Sequence, residues 1–237
     1  MTQIYTLQQK GTHIMTYISP SLLAADYAHL ADEIKKIEDA GANYLHLDIM
    51  DGAFVPNISF GPELVASIRK HTKLIFDVHL MINDPIRYVD RFVKAGADMI
   101  TFHIESTDDP EAVIRAIASH EMRVGIAVSP KTPVESVFPY LPQLSQVTIM
   151  TVEPGFGGQS LMMPMLDKVR VLRRYAADNN LKLDIEVDGG INPDNVGYCT
   201  GAGANVIVAG SAIFKSKKPR SVIFGIKDAA KLNPFVG

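Results

Sequence analysis

Ala40-Gly41-Ala42-Asn43 runs straight into Tyr44-Leu45-His46-Leu47-Asp48-Ile49-Met50. The first four residues read as the end of a helix, because Gly41 suits the C′ position, where a left-handed backbone favours a residue without Cβ. The residues that follow read as a strand. The phrase returns as Ala95-Gly96-Ala97-Asp98 and as Ala202-Gly203-Ala204-Asn205, each time just before an apolar run. Its glycines are separated by 55 and 107 residues, close to two and four units of roughly 27 residues, a natural size for one strand plus one helix. From Ile18 to the end, such units fit about eight times, which predicts a single-domain α/β fold, the (β/α)8 TIM barrel.

The rest of the chain is consistent with that count. Strands are expected over Ile18–Leu23, Tyr44–Ile49, Leu74–Leu80, Met99–His103, Arg123–Val128, Gln146–Thr151, Lys182–Val187 and Asn205–Ala209. Between them, Leu30, Ile34 and Ile37, and then Met162, Met165, Leu166, Val169 and Leu172, follow helical spacing. Pro62, Pro85, Pro110 and Pro193 sit where first helical turns should begin. An open, doubly wound sheet would also alternate strand and helix, but no Gly-x-Gly-x-x-Gly follows the first strand.

Composition narrows the partners. The chain has 237 residues, 47% hydrophobic and 21% charged, with a net charge of -3. Neither a nucleic acid nor an anionic membrane surface is an expected partner for that charge. No apolar stretch approaches the roughly 18 residues of a spanning helix. The single cysteine, Cys199, excludes an internal disulfide framework and fits a reducing, cytoplasmic setting. Residues 1–15 lack the apolar core of a signal peptide and the arginines of a transit peptide. They are read as a disordered leader or extension, with Met15 an alternative start, and residues 16–237 as the barrel.

Strand side chains alternate, so His46, Asp48 and Met50 share one face while Leu45, Leu47 and Ile49 take the other. In a barrel the leucine face meets the helices and the polar face meets the axis. The same parity turns Asp77, His79 and Met81 inward on the third strand, and Glu186 and Asp188 inward on the seventh. Buried ionisable groups are costly unless paired or bound to metal. His46, Asp48, His79 and Asp188 therefore read as a ligand set converging at the C-terminal ends of the strands, the catalytic face of such barrels, with His79 at the open mouth. Mixed nitrogen and oxygen donors suit zinc, iron(II), manganese or cobalt. Asp77, His103 and Glu186 fit either structural roles or hydrogen-bonding partners of the ligands. Asp51, off the inward parity, is expected to bond the loop after it. Met50, Met81 and Met150 fit either core packing or a polarisable lining.

Three glycine loops follow adjacent strands: Glu153-Pro154-Gly155-Phe156-Gly157-Gly158-Gln159, Asp188-Gly189-Gly190 and Ala209-Gly210-Ser211. Barrels frequently hold phosphate on the loops after strands seven and eight, at the start of a short helix. Ser211 to Phe214 is the expected helix, its backbone N–H groups holding a dianion without a basic side chain.

Long motifs in a fixed order carry a resemblance. They are Ser19-Pro20-Ser21-Leu22-Leu23, His46 to Gly52, Phe54-Val55-Pro56-Asn57, Asp77 to Met81, Met150 to Gln159, Val187-Asp188-Gly189-Gly190-Ile191 and Gly210-Ser211. From about Ile18 to Lys227 the chain resembles the ribulose-phosphate 3-epimerase family. The resemblance implies interconversion of D-ribulose 5-phosphate and D-xylulose 5-phosphate. It also implies one divalent metal on His46, Asp48, His79 and Asp188, with Asp48 and Asp188 as the acid/base pair. Ser21, His79, Gly155, Phe156, Gly157, Gly158, Asp188, Gly189, Gly190, Gly210 and Ser211 are the expected substrate contacts, and Met50, Met81 and Met150 the lining of the enediolate. The expected partners are a small sugar phosphate and further copies of the chain in a homo-oligomer. One departure is Lys131, where family members often have glycine; it is expected to face solvent. Two alternatives stay open: 3-epimerisation of allulose 6-phosphate on the same fold, and a non-catalytic sugar-phosphate-binding barrel. A Schiff-base aldolase would need a buried lysine.

Overall fold

The computed structural model describes residues 15–235, so nearly all of the expected leader lies outside the described residues. Eight parallel strands form one sheet: β1 (Tyr17–Pro20), β2 (Tyr44–Met50), β3 (Ile75–Met81), β4 (Met99–His103), β5 (Arg123–Val128), β6 (Gln146–Met150), β7 (Asp184–Asp188) and β8 (Val206–Ala209). Each of β2 to β8 is laddered to the next, and β8 is laddered to β1. The ring closes between β1 and β2 with far fewer bonds, through an isolated bridge of Ser21 with His46 and through Asn43. The α-helices are α1 (Leu30–Asp39), α2 (Pro62–Arg69), α3 (Val89–Lys94), α4 (Pro110–Ala118), α5 (Met165–Asp178), α6 (Val196–Ala202), α7 (Ser211–Phe214) and α8 (Pro219–Leu232). The single-domain (β/α)8 TIM barrel is the observed fold.

The recurring phrase performs one recurring job at the N-terminal ends of the strands. Gly41, Gly96 and Gly203 adopt φ of 93°, 94° and 115°, the left-handed turn that ends a helix. The next polar residue then grips the preceding strand at two points. Asn43 donates its N–H to Ile18 O at 2.9 Å, and its Oδ1 accepts from Ile18 N at 3.0 Å. Asp98 does the same to Phe76, at 3.1 and 2.8 Å. Asn205 does the same to Ile185, at 2.9 and 2.8 Å. Asn205 Oδ1 also accepts from the buried Arg173 Nη2 at 2.9 Å, and its amide donates to Asp184 Oδ1 at 2.7 Å. Asn205→Ala strands a buried N–H and a guanidinium together, so a loss of about 1–3 kcal/mol is expected. Urea denaturation checks this; an unchanged midpoint would show that water replaces the clamp without penalty.

Alternation divides the barrel as expected. Leu45, Leu47, Ile49, Phe76, Val78 and Leu80 join the main apolar core with the helices. His46, Asp77, His79, Thr101, His103, Gln146, Thr148 and Glu186 are fully buried on the other face. Several sequence expectations are corrected. β1 stops at Pro20, and Leu22–Ala24 forms a 3-10 turn instead of continuing the strand to Leu23. β7 starts at Asp184, two residues late, and includes Asp188. Pro62 and Pro110 do open α-helices, but Pro85 opens a 3-10 helix, and Pro193 precedes α6 by three residues. Met162 lies before α5, where its N–H instead bonds Thr151 O at 2.8 Å. The segment Val134–Gln143 is 3-10 helix, because Pro139 and Pro142 lack the N–H that an α-helix needs there.

Candidate active site and metal centre

Four donor atoms from β2, β3 and β7 converge at the C-terminal end of the barrel. His46 Nε2 lies 3.3 Å from Asp48 Oδ1, 3.2 Å from His79 Nδ1 and 3.6 Å from Asp188 Oδ2. His79 Nδ1 is 3.2 Å from Asp48 Oδ1 and 3.6 Å from Asp188 Oδ2. A tetrahedron with metal–ligand bonds of about 2.1 Å has edges of about 3.4 Å. These separations match such edges, and two imidazoles with two carboxylates are a suitable donor set for a divalent transition ion. His46, Asp48, His79 and Asp188 could therefore hold one metal ion.

The groups behind the cluster orient it. His46 Nδ1 lies 3.1 Å from Asp77 Oδ2, so the carboxylate accepts from Nδ1–H and turns Nε2 toward the cluster. Asp77 also accepts from Thr101 Oγ1 at 3.3 Å and from Gln146 Nε2 at 3.4 Å. Glu186 accepts from Thr148 Oγ1 at 2.8 Å, and burial together with the Asp77 charge pushes it well above the usual carboxylate range. Burial opposes a charge on His46, yet the Asp48 and Glu186 carboxylates push its pKa well up. Burial likewise opposes ionisation of Asp48, but the His46 charge and hydrogen bonding hold it below its usual value. Ser21 Oγ donates to Asp48 Oδ2 at 2.6 Å.

A cleft of about 800 Å³ opens above this floor. Asp48 and Asp188 line it, with Ser21, Met50, Met81 and Met150 around them. Met50, Met81 and Val55 form a small apolar cluster apart from the main core, with Leu23 and Phe54 against it. The walls are Gly155, Phe156, Gly157 and Gly158 on one side and Gly189, Gly190, Gly210 and Ser211 on another. Gly190, at φ 73°, packs so closely on the next loop that a Cβ would come within 2.2 Å of Leu161 N. The α7 helix spans Ser211–Phe214 as read from sequence.

The structure thus brings every expected site residue to the cleft or its floor, with one change of position. His79 is fully buried and does not line the cleft; neighbouring side chains cover it from the mouth where it was expected. Asp51 accepts from the N–H groups of Ala53 and Phe54 at 2.8 Å each, and from Asn83 N at 2.8 Å. Lys131 is exposed, 3.9 Å from Glu153. Asn57 and Gln159, quoted above only as parts of motifs, and Asn192 and Lys215, which sequence reading passed over, all line the cleft. Lys215 places a basic side chain where backbone amides alone were expected; its position one residue after α7 was the available signal.

The family model described as the ribulose-phosphate 3 epimerase family matches residues 17–214. The chain belongs to the ribulose-phosphate 3-epimerase family. It is 46% identical over 218 residues to the cytoplasmic isoform of ribulose-phosphate 3-epimerase from Oryza sativa, covering 90% of this chain and 94% of that one. It is 42% identical to ribulose-phosphate 3-epimerase from Bacillus subtilis, covering 90% and 99% of the two chains. Among solved structures, 3-hexulose-6-phosphate synthase from Salmonella typhimurium superposes with a TM-score of 0.70 at 18% identity, covering 92% and 99% of the chains. That likeness concerns the fold alone. As a member of the ribulose-phosphate 3-epimerase family the chain is an isomerase. Among the described residues, no helix is long and apolar enough to cross a membrane.

Proposed function

We propose that the chain interconverts D-ribulose 5-phosphate and D-xylulose 5-phosphate by two-base proton transfer at C3, with a divalent metal on His46, Asp48, His79 and Asp188. The observation that carries this reading is the pair of carboxylates, Asp48 and Asp188, lining the floor of one cleft from strands three steps apart around the ring. Epimerisation requires a proton to leave one face of C3 and another to arrive on the opposite face. One aspartate removes the first proton to give a planar cis-enediolate, and the other delivers the second. Ser21 fixes Asp48 through the bond to Oδ2, and Oδ1 faces the metal position beside His46 Nε2 and His79 Nδ1. Met50, Met81 and Met150 pack beside the planar intermediate and exclude water from it. His46, Asp48, His79 and Asp188 would hold zinc, iron(II), manganese or cobalt, which when bound would supply Lewis-acid stabilisation of the developing negative charge. The test is a coupled assay of both pentulose phosphates beside the longer allulose 6-phosphate, with C3 hydrogen exchange followed in heavy water. A preference for the longer sugar would move the chain to a different substrate, and binding without exchange would leave a sugar-phosphate carrier.

The phosphate fits the rim formed by Gly189, Gly190, Gly210 and Ser211, where backbone N–H groups and Lys215 can meet a dianion. A Cβ at Gly210 already comes within 3.3 Å of Ala24 and 3.5 Å of Ser21, so a branched side chain must push into the rim. Gly210→Val is expected to raise KM for the sugar phosphate by at least about tenfold, the loss of roughly 1.4 kcal/mol of binding. Metal content should stay unchanged. An unaltered KM would place the phosphate elsewhere.

A further inference from the structure

Glu105 sits outside the cleft, in the 3-10 turn after β4, yet two imidazoles connect it to the metal centre. His103 Nδ1 lies 3.1 Å from Glu105 Oε2, and His103 Nε2 lies 2.9 Å from His79 Nε2. Along this row each nitrogen pair shares one proton, so fixing the proton at one end fixes it at the other. An ionised carboxylate only accepts. Burial opposes the Glu105 charge, but bonds from His103, the Thr132 hydroxyl and the Ser129 amide bring it down to about 2. The proton must then sit on His103 Nδ1. His103 is fully buried, where a doubly protonated, charged imidazole is costly, so its Nε2 is a lone pair and accepts from His79 Nε2–H. His79 Nδ1 is left bare, pointing at the place that His46 Nε2, Asp48 and Asp188 also face.

The opposite arrangement has its own attraction, because Asp48 Oδ1 lies 3.2 Å from His79 Nδ1 and would accept a proton there. That arrangement sets the His103 Nδ1 lone pair against the Glu105 carboxylate. Glu105 cannot turn away to relieve this, since Oε1 accepts from Ser129 N at 2.9 Å. The loop around Ser129 is itself held: Lys168 Nζ donates to the carbonyls of Ser129, Pro130 and Thr132 at 2.9, 2.7 and 2.6 Å. Phe54 covers His103, with ring centroids 4.9 Å apart, and His103 has no exposed surface from which water could replace a partner.

We propose that Glu105, acting through His103, is a positioning residue that holds His79 in the Nε2–H tautomer and so keeps Nδ1 available as a metal ligand. The inference rests on the reading of His46, Asp48, His79 and Asp188 as ligands. It adds a remote carboxylate that sets the ligand's proton through an intervening imidazole. It also gives an unusual ranking of substitutions. Glu105→Gln keeps the shape but must aim its carbonyl at the immovable Ser129 N–H and its NH₂ at His103. That forces the proton to His103 Nε2 and in turn to His79 Nδ1, inside the metal position. Glu105→Ala removes the carboxylate, but Ser129 Oγ, 3.2 Å from His103 Nδ1, can still accept the original proton.

The isosteric change is therefore expected to be the more harmful one. Cobalt(II) titration of the metal-free protein, followed by its visible absorption, should show a dissociation constant raised about 10–100-fold in Glu105→Gln and less in Glu105→Ala. A role in packing alone gives the reverse order, and that order overturns the proposal. Long-range ¹H–¹⁵N spectra of the metal-free wild type provide the independent reading. His79 should carry its proton on Nε2 and move it to Nδ1 in Glu105→Gln. A wild-type Nδ1–H tautomer overturns the inference. If wild type binds no cobalt, the ligand assignment falls, and the His79 tautomer still decides the role of Glu105.

Discussion

Asp188→Asn is expected to stop net interconversion of the two epimers while leaving hydrogen exchange at C3 of one of them. In the proposed two-base mechanism each face of C3 is served by a single carboxylate, and an amide cannot take up or deliver the proton. The fall in net rate should be about 10²–10⁴-fold, the usual range for one acid/base group. Asp48, untouched on the other side of the floor, still removes a proton from its own epimer and returns solvent deuterium to the same face. The substitution is isosteric, and Asp188 is partly open to the cleft, so the barrel should stay folded. Because Asp188 Oδ2 also faces His46 Nε2 and His79 Nδ1, the comparison is made at matched metal content. Near wild-type interconversion of both epimers in metal-loaded Asp188→Asn would end the two-base assignment.

Chelation followed by gel filtration should lower epimerase activity by at least about 10²-fold, the rate equivalent of several kcal/mol of charge stabilisation. Adding back zinc, manganese, cobalt or iron(II) should restore it. Recovery is expected because the emptied cluster has a way to stay neutral enough to remain folded. The Asp48 and Glu186 carboxylates raise the proton affinity of His46, so a proton can take over part of the cation's role. Full activity in rigorously metal-free protein would remove the metal from the reaction.

The convergence of the four polar side chains was legible because strands buried on both faces normally carry Val, Ile or Leu throughout. His46, Asp48, His79 and Asp188 break that rule on one parity, and the structure turns all four to the same point. The phrase ending in Asn43, Asp98 and Asn205 was legible as punctuation, but its clamp was not. The bonded partners Ile18, Phe76 and Ile185 are 25, 22 and 20 residues upstream, and nothing in local pattern specifies which backbone group a side chain will reach. Glu105 was invisible for a similar reason: it lies beyond the strand, where an acidic loop residue normally means only solvent. The mouth position expected for His79 failed because parity gives the face of a side chain but not the depth at which neighbours cover it. Boundaries failed where proline chemistry intervened, at Pro139 and Pro142 by loss of N–H donors and at Pro193 by a turn inserted before α6.

The uneven closure of the ring has a consequence for where this chain can be cut. Seven joins between strands are ladders, whereas β1 meets β2 through Asn43 and the bridge of Ser21 with His46. The peptide from Ser21 to Asn43 is thus a covalent tie across the least bonded join. A circular permutant opened in that peptide loses the tie and places new, fraying termini beside Ser21 and Asp48. One opened between α4 and β5 cuts across a laddered join instead, where register survives without the connection. Tolerance of new termini depends on backbone bonding at the break more than on position in sequence. The chain's first connection is therefore the one that engineering should leave intact.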